Sequence, residues 1–197
     1  MGALTPAFFS SVANAADHKP KCLVIWYSKS GNTEGIGRIL AEIMHADTFT
    51  IIPERFYGRE RPKISQDAKR ERETKDFPKL KGPLPDVSQY DLVFVGSPAW
   101  WYGLATPVMA FLDAVDFKGT RVAGFNTYGG DGHLFAQELK AQAKNAVLLG
   151  TVGFNGTYDT GSGEQPDGLR FQMQRKAEIE TKLKAWLTEI LPENLRS

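Results

Sequence analysis

A chain of 197 residues, 42% of them hydrophobic and carrying a net charge of +1, can bury one substantial core and is expected to form a single domain. It has no basic excess, no Cys/His cluster at metal-ligand spacing and no long apolar run, so nucleic-acid binding, a metal site and a membrane span are not expected. The single cysteine, Cys22, excludes an intrachain disulfide and opens an apolar stretch, where it reads as a small core residue.

Residues 1–20 read as a tail outside the domain that fills 21–197. Ala3 to Ala16 is small and apolar, contains Phe8 and Phe9, and ends in Ala13-Asn-Ala15, a small-x-small pattern resembling a signal-peptidase site without a basic leader. We read it as the back half of an export signal of the twin-arginine kind, implying a periplasmic protein. A disordered tail or an extra helix on a cytoplasmic protein is the alternative.

The next segment, Cys22-Leu-Val-Ile-Trp-Tyr-Ser-Lys-Ser-Gly-Asn-Thr33, is an apolar strand ending in a hydroxyl-rich loop that opens directly into a helix. The helix runs from about Thr33 to His45, with Ile36, Ile39, Leu40, Ile43 and Met44 on one stripe. Unpaired amides at a helix start point at an anion, and the dipole favours negative charge there. Ser28, Ser30, Asn32 and Thr33 add donors, and Gly31 lets the backbone come close. A P-loop is excluded because no Lys-Ser/Thr pair closes this loop. A dinucleotide fingerprint is excluded because Gly31, Gly35 and Gly37 are spaced wrongly and the last two lie inside the helix. From this loop alone, a Ser/Asn-rich helix cap without a ligand remains the alternative.

A short second strand, Thr48 to Ile52, leads into a polar stretch from Pro53 to Val87. Its basic residues, among them Arg55, Arg59, Lys69, Arg72 and Lys75, interleave with Glu60, Asp67, Glu71 and Glu73. A solvated helix from about Ser65 to Lys75 is expected, with i,i+4 pairs such as Glu71 and Lys75. A docking surface for an acidic partner is the alternative. The third strand, Asp91 to Gly96, runs into Ser97-Pro-Ala-Trp-Trp-Tyr-Gly103, whose three consecutive aromatics cannot all face one core. They fit a planar heteroaromatic ligand; core or dimer anchors are the other reading. Thr106 is expected to cap a helix with Pro107 at its first position and Val108, Phe111, Leu112 and Val115 on its buried side.

Arg121 to Thr127 is the fourth strand, followed by the loop Asn126 to Gly132, a helix from Leu134 to Ala143, and a fifth strand from Ala146 to Val152. Gly153 to Gly168, with Tyr158 near its middle, is long for a connection and leaves the sheet edge where ligand-gating loops occur. One last helix is expected over Leu169 to Leu191, with Trp186 in its apolar stripe. Five alternations of strand and helix predict an α/β, doubly wound parallel sheet with right-handed crossovers.

The three loops resemble those of the flavodoxin-like superfamily, where they bind flavin mononucleotide (FMN). Ser28 to Thr33 matches its S/T-x-S/T-G-N-T phosphate loop. Gly96 to Gly103, followed by Thr106-Pro107 and Phe111-Leu112, is similar to the G-x-P-x-W-W-x-G…P…F-L pattern of bacterial flavodoxin-like proteins close to the flavodoxin and quinone-reductase groups. The resemblance covers roughly Lys21 to Leu191. It implies a five-stranded sheet in the order 2-1-3-4-5 with the loops around its switch point. It further implies that Ser28, Lys29, Ser30, Gly31, Asn32 and Thr33 hold the phosphate. Pro98, Ala99, Trp100, Trp101, Tyr102 and Gly103 would flank the isoalloxazine, and Thr127, Tyr128, Gly129 and Gly130 would line its pyrimidine side. Lys29 departs from the family pattern, and its ammonium is expected to point to water.

With FMN implied, an oxidoreductase passing electrons from NAD(P)H to a quinone-like acceptor is the first reading. A one-electron carrier flavodoxin between protein partners is the second, and a flavin-free interaction or sensor module the third. Many carrier flavodoxins are strongly acidic, whereas this chain is near neutral with a basic segment, which favours an enzyme. No catalytic acid or base stands out; His133 follows the third loop and could protonate an acceptor. Trp100 or Trp101 could also meet a second subunit in a homodimer.

Overall fold

The computed structural model describes residues 19–58, 61–157 and 167–195. The segment read as an export signal lies outside the described residues, except for its last two, as does Tyr158. In chain order the elements are β1 (Cys22–Trp26), α1 (Asn32–Met44), β2 (Asp47–Thr50), α2 (Arg61–Thr74), β3 (Leu92–Pro98), α3 (Thr106–Ala114), β4 (Arg121–Tyr128), α4 (Phe135–Gln142), β5 (Val147–Asn155), α5 (Gly168–Gln174) and α6 (Lys176–Ile190). The five strands form one sheet in the order β2-β1-β3-β4-β5, with every neighbouring pair parallel, as expected. No helix among the described residues is long and apolar enough to cross a membrane.

Strand alternation divides the core between the two faces. Cys22, Val24 and Trp26 of β1 point to one side with Phe94 and Phe125, where Ile36, Ile39 and Leu40 of α1 and Ile179, Leu183, Trp186 and Leu187 of α6 cover them. Leu23 and Ile25 point to the other side with Val93 and Val95, under Val108, Phe111 and Leu112 of α3 and Phe135 and Leu139 of α4. Strands covered on both faces read as unbroken apolar runs, which is why β1 and β3 carry no polar alternation. Cys22 is part of this core; burial, then the nearby Asp91 charge, push its thiol up to about 11.

Gly96 sits where the β3 backbone meets an aromatic ring. A Cβ there would stand 2.2 Å from Phe125 Cζ. Gly96→Ala should therefore lower stability by about 1–3 kcal/mol through overpacking, read as a drop in the urea midpoint at an unchanged slope. An unchanged midpoint would mean that Phe125 can move aside without loss.

Three elements differ from the sequence expectation. The last helix breaks at Arg175 into α5 and α6. Thr106 does not cap α3: Ala105 is the N-cap, Pro107 falls in the second position, and the Thr106 hydroxyl donates instead to Glu71. Glu71 does not pair with Lys75, which leaves the helix with φ 56°; it is buried, with relative exposure of 1%.

Candidate functional site

The register brings three loops to one edge. Trp26 pairs with Gly96 and Gly96 with Phe125, so the chain leaving β1, β3 and β4 emerges side by side at the carboxyl ends of the strands.

At the first loop, Gly31 is the N-cap of α1 with φ 87°, a backbone conformation that favours glycine. A Cβ here would also stand 2.6 Å from the Leu169 amide nitrogen. The first helical bond runs from Gly35 N–H to Gly31 O at 2.8 Å, so the amides of Asn32, Thr33 and Glu34 have no helical carbonyl to reach. No side chain caps this end. The Ser28 hydroxyl is buried without a hydrogen-bond partner. Lys29 is half-buried, and burial lowers the pKa of its ammonium. Free amides, an orphaned hydroxyl and a partly desolvated cation form the donor set that a phosphate monoester takes.

Asn32 does different work from its neighbours. Its Nδ2 donates to Ser30 Oγ at 3.0 Å and to Thr157 Oγ1 at 2.8 Å. Its Oδ1 accepts from the Thr157 amide at 3.0 Å and from Gln172 Nε2 at 3.0 Å. With both hydrogens and both lone pairs engaged, the side chain ties the loop to β5 and α5 and leaves only its backbone N–H for a ligand. Thr33 is buried, and its hydroxyl lies 2.7 Å from that of Thr127, joining the first loop to the end of β4.

The second loop divides its aromatics. Pro98 closes β3, and Ala99 N–H donates to Thr127 O at 2.8 Å. Trp100 turns inward against Tyr27 and Tyr57, edge to face, with centroids 5.5 and 5.0 Å away. Trp101 and Tyr102 remain 41% and 52% exposed. Both have positive φ, 52° and 67°, which is strained for such bulky residues. Hydrogen bonds between the backbones of Trp100 and Gly103 close the turn. Gly103 leaves space for the Glu138 carboxylate, which a Cβ would meet at 2.1 Å.

In the third loop Tyr128 and Gly129 are half-buried, while a Cβ on Gly130 would meet nothing within 4 Å. His133 lies against the Tyr102 ring at 5.4 Å, and its Nδ1 is 2.5 Å from Asp131 Oδ2. That hydrogen bond holds the Asp131 carboxyl below the usual carboxylate range. The described residues hold no group of acids, histidines and cysteines that could bind a metal ion.

Residues to which the sequence reading gives no part in the site surround the second loop. Glu71 accepts from Tyr57 Oη at 2.7 Å, Thr106 Oγ1 at 2.5 Å and Arg55 Nη1. Burial, aided by the Glu71 charge, pushes the phenols of Tyr27 and Tyr57 well above their ordinary range, so both remain donors. Arg72 donates to Leu104 O at 2.7 Å and to Glu138, whose other oxygen accepts from Leu104 N–H at 2.7 Å. The one signal for these in the sequence is negative: α2 lacks an apolar stripe, so its attachment has to be polar.

The flavodoxin family model, Flavodoxin_4, matches residues 21–161. The chain belongs to this flavodoxin family. A flavoprotein of Lactobacillus acidophilus, solved in complex with FMN, is 28% identical to this flavodoxin-family chain; the match covers 68% of this chain and 93% of that one, with a TM-score of 0.62. Proteins of Bacteroides eggerthii and Bacteroides uniformis, each assigned as a flavoprotein, share the fold. The first is 23% identical at a TM-score of 0.64, covering 87% of this chain and 98% of its own. The second is 20% identical at 0.66, covering 85% and 99%. No curated protein matches the chain.

Proposed function

We propose that this flavodoxin-family protein is an FMN-dependent oxidoreductase that takes reducing equivalents from a reduced nicotinamide and passes them to a quinone or similar planar acceptor. FMN is the group it binds: the donor set of the first loop fits the phosphate, and the relative from Lactobacillus acidophilus was solved with FMN. When bound, FMN supplies the hydride and electron transfer, and the chain supplies position and proton handling. Ser28, Lys29 and the amides from Gly31 to Glu34 hold the phosphate. Trp100, fixed by the two tyrosines, gives the ring an apolar wall, and Thr127 to Gly130 close the opposite side.

The observation that carries the enzyme reading is the partly exposed aromatic pair beside this wall, with a histidine against it. Trp101, with Lys69 Nζ over its ring at 5.7 Å, and Tyr102 are partly exposed, and the Asp131–His133 pair stands against Tyr102. A planar acceptor stacking there would meet the His133 imidazole, which can hand over a proton as the acceptor is reduced. The carrier reading needs a charged docking face, and several of the described charges on and beside α2 are matched. Lys69 pairs with Glu73 at 3.7 Å and Arg70 with Asp67 at 3.6 Å, while Arg55 and Arg72 are taken by Glu71 and Glu138.

The test is to purify the protein without added flavin, record its visible spectrum, and add NADH or NADPH with a benzoquinone. A yellow protein that turns over both substrates is expected. Yellow protein that is reduced chemically but shows no turnover would favour the carrier, and colourless protein that takes up no FMN would overturn the cofactor.

A further inference from the structure

We propose that Glu71 and Arg72 of α2 are positioning residues for the second loop, fixing Trp100 as the wall for the flavin ring. The proposal rests on the FMN reading above and adds to it two residues outside the three flavin loops. Its starting point is an imbalance. Over positions 66–74 of α2 only Ala68 and Glu71 are buried, so this part of the helix has little apolar contact with which to dock. Burying a carboxylate is unfavourable unless donors surround it. Here three do, from Arg55, Tyr57 and Thr106, and the last two lead to the loop.

Tyr57, held by Glu71, packs on Trp100 at 5.0 Å and on Tyr27 at 6.5 Å, and Tyr27 in turn packs on Trp100 at 5.5 Å. Thr106, also held by Glu71, opens α3 three residues after the loop closes. Arg72 takes the Leu104 carbonyl directly and, through Glu138, the Leu104 amide, so the two peptide groups flanking Leu104 are both held. Ser97 Oγ accepts from the Ala105 amide at 2.9 Å and completes the frame. Between these anchors lie Trp101 and Tyr102 in left-handed conformation. Such strain persists only where surrounding contacts over-determine it; the Leu134 amide holds Tyr102 O at 3.0 Å, and α2 adds its grip on Leu104 and Thr106. Over its described positions α2 therefore reaches the second loop mainly through polar groups.

The experiment compares Glu71→Gln, Thr106→Val and Thr106→Ser with the unaltered protein in two measurements. The first is amide hydrogen exchange of the flavin-free protein. Glu71→Gln and Thr106→Val should speed exchange over residues 98–106 by about tenfold or more, while β1 and β4 exchange as before; Thr106→Ser, which keeps the donor, should restore the slow rate. The second is titration with FMN and with riboflavin. Both ligands should weaken by a similar factor, about tenfold, with a changed visible circular dichroism band, because the fault lies at the ring and not at the phosphate. Unchanged exchange over 98–106 would overturn the proposal, as would weakening of FMN alone. If the unaltered protein binds neither ligand, the FMN reading fails, and the exchange data still decide whether α2 sets the loop. Should Glu71→Gln not fold, the Thr106 pair carries the same test.

Discussion

Ser28→Ala is expected to raise the melting temperature of the flavin-free protein and, in the same variant, to weaken its hold on FMN. The two effects have opposite signs because the hydroxyl has no internal partner. A buried hydroxyl without a hydrogen bond costs about 1–3 kcal/mol, so removing it should return about 1 kcal/mol to the fold. For a chain of this size that is a rise of roughly 2–4 °C. A hydrogen bond to a charged phosphate oxygen contributes about 1.5–3 kcal/mol, so FMN affinity should fall roughly 10- to 100-fold. Riboflavin, which lacks the phosphate, should bind the variant and the parent alike. Calorimetry of the flavin-free protein and fluorescence titration with both ligands give the three numbers. A variant that melts lower and binds FMN unchanged would assign the hydroxyl to the fold instead of the anion.

The fold was largely legible because the backbone pattern and the core pattern agree. Continuous apolar runs at β1 and β3 and the stripe Ile36, Ile39, Leu40, Met44 on α1 each allow one burial geometry, and the sheet follows from their alternation. The break at Arg175 was not legible. No Gly or Pro marks it, and it arises because α5 answers to Asn32 through Gln172 while α6 answers to the sheet through Ile179 and Leu183. Glu71 was misread for a related reason. In Arg-Glu-Arg-Glu-Thr-Lys every charge has a neighbour at helical spacing, and only the distant Tyr57 and Thr106 reveal which carboxylate turns inward. The same pull took the Thr106 hydroxyl away from capping. At the site, the loop positions could be read from the strands they follow. The division of labour within each loop could not, since Trp100 and Trp101 are adjacent and alike yet one packs inward and the other is 41% exposed.

The sharpest division falls at Asn32, where two substitutions separate holding the loop from holding the phosphate. Asn32→Ala removes four hydrogen bonds and strands the Thr157 amide and one bond of Gln172, whose side chain is fully buried. Two such losses should lower stability by about 2–4 kcal/mol, or roughly 5–15 °C in melting temperature. Asn32→Asp is nearly isosteric, and the hydroxyls of Ser30 and Thr157 can reverse roles and donate to the new oxygen. The Thr157 amide and Gln172 keep their acceptor, and a negative charge beside the first turn of α1 is favourable. The aspartate variant should therefore melt within a few degrees of the parent. Its FMN affinity should nonetheless fall by roughly 100-fold, since a fixed carboxylate facing a phosphate at about 4–8 Å repels it by about 2–4 kcal/mol at an effective dielectric near 20. Riboflavin should be spared. Added FMN would then raise the melting temperature of the alanine variant by mass action more than that of the aspartate variant at the same concentration. An aspartate variant that keeps FMN as tightly as the parent would place the phosphate away from the start of α1.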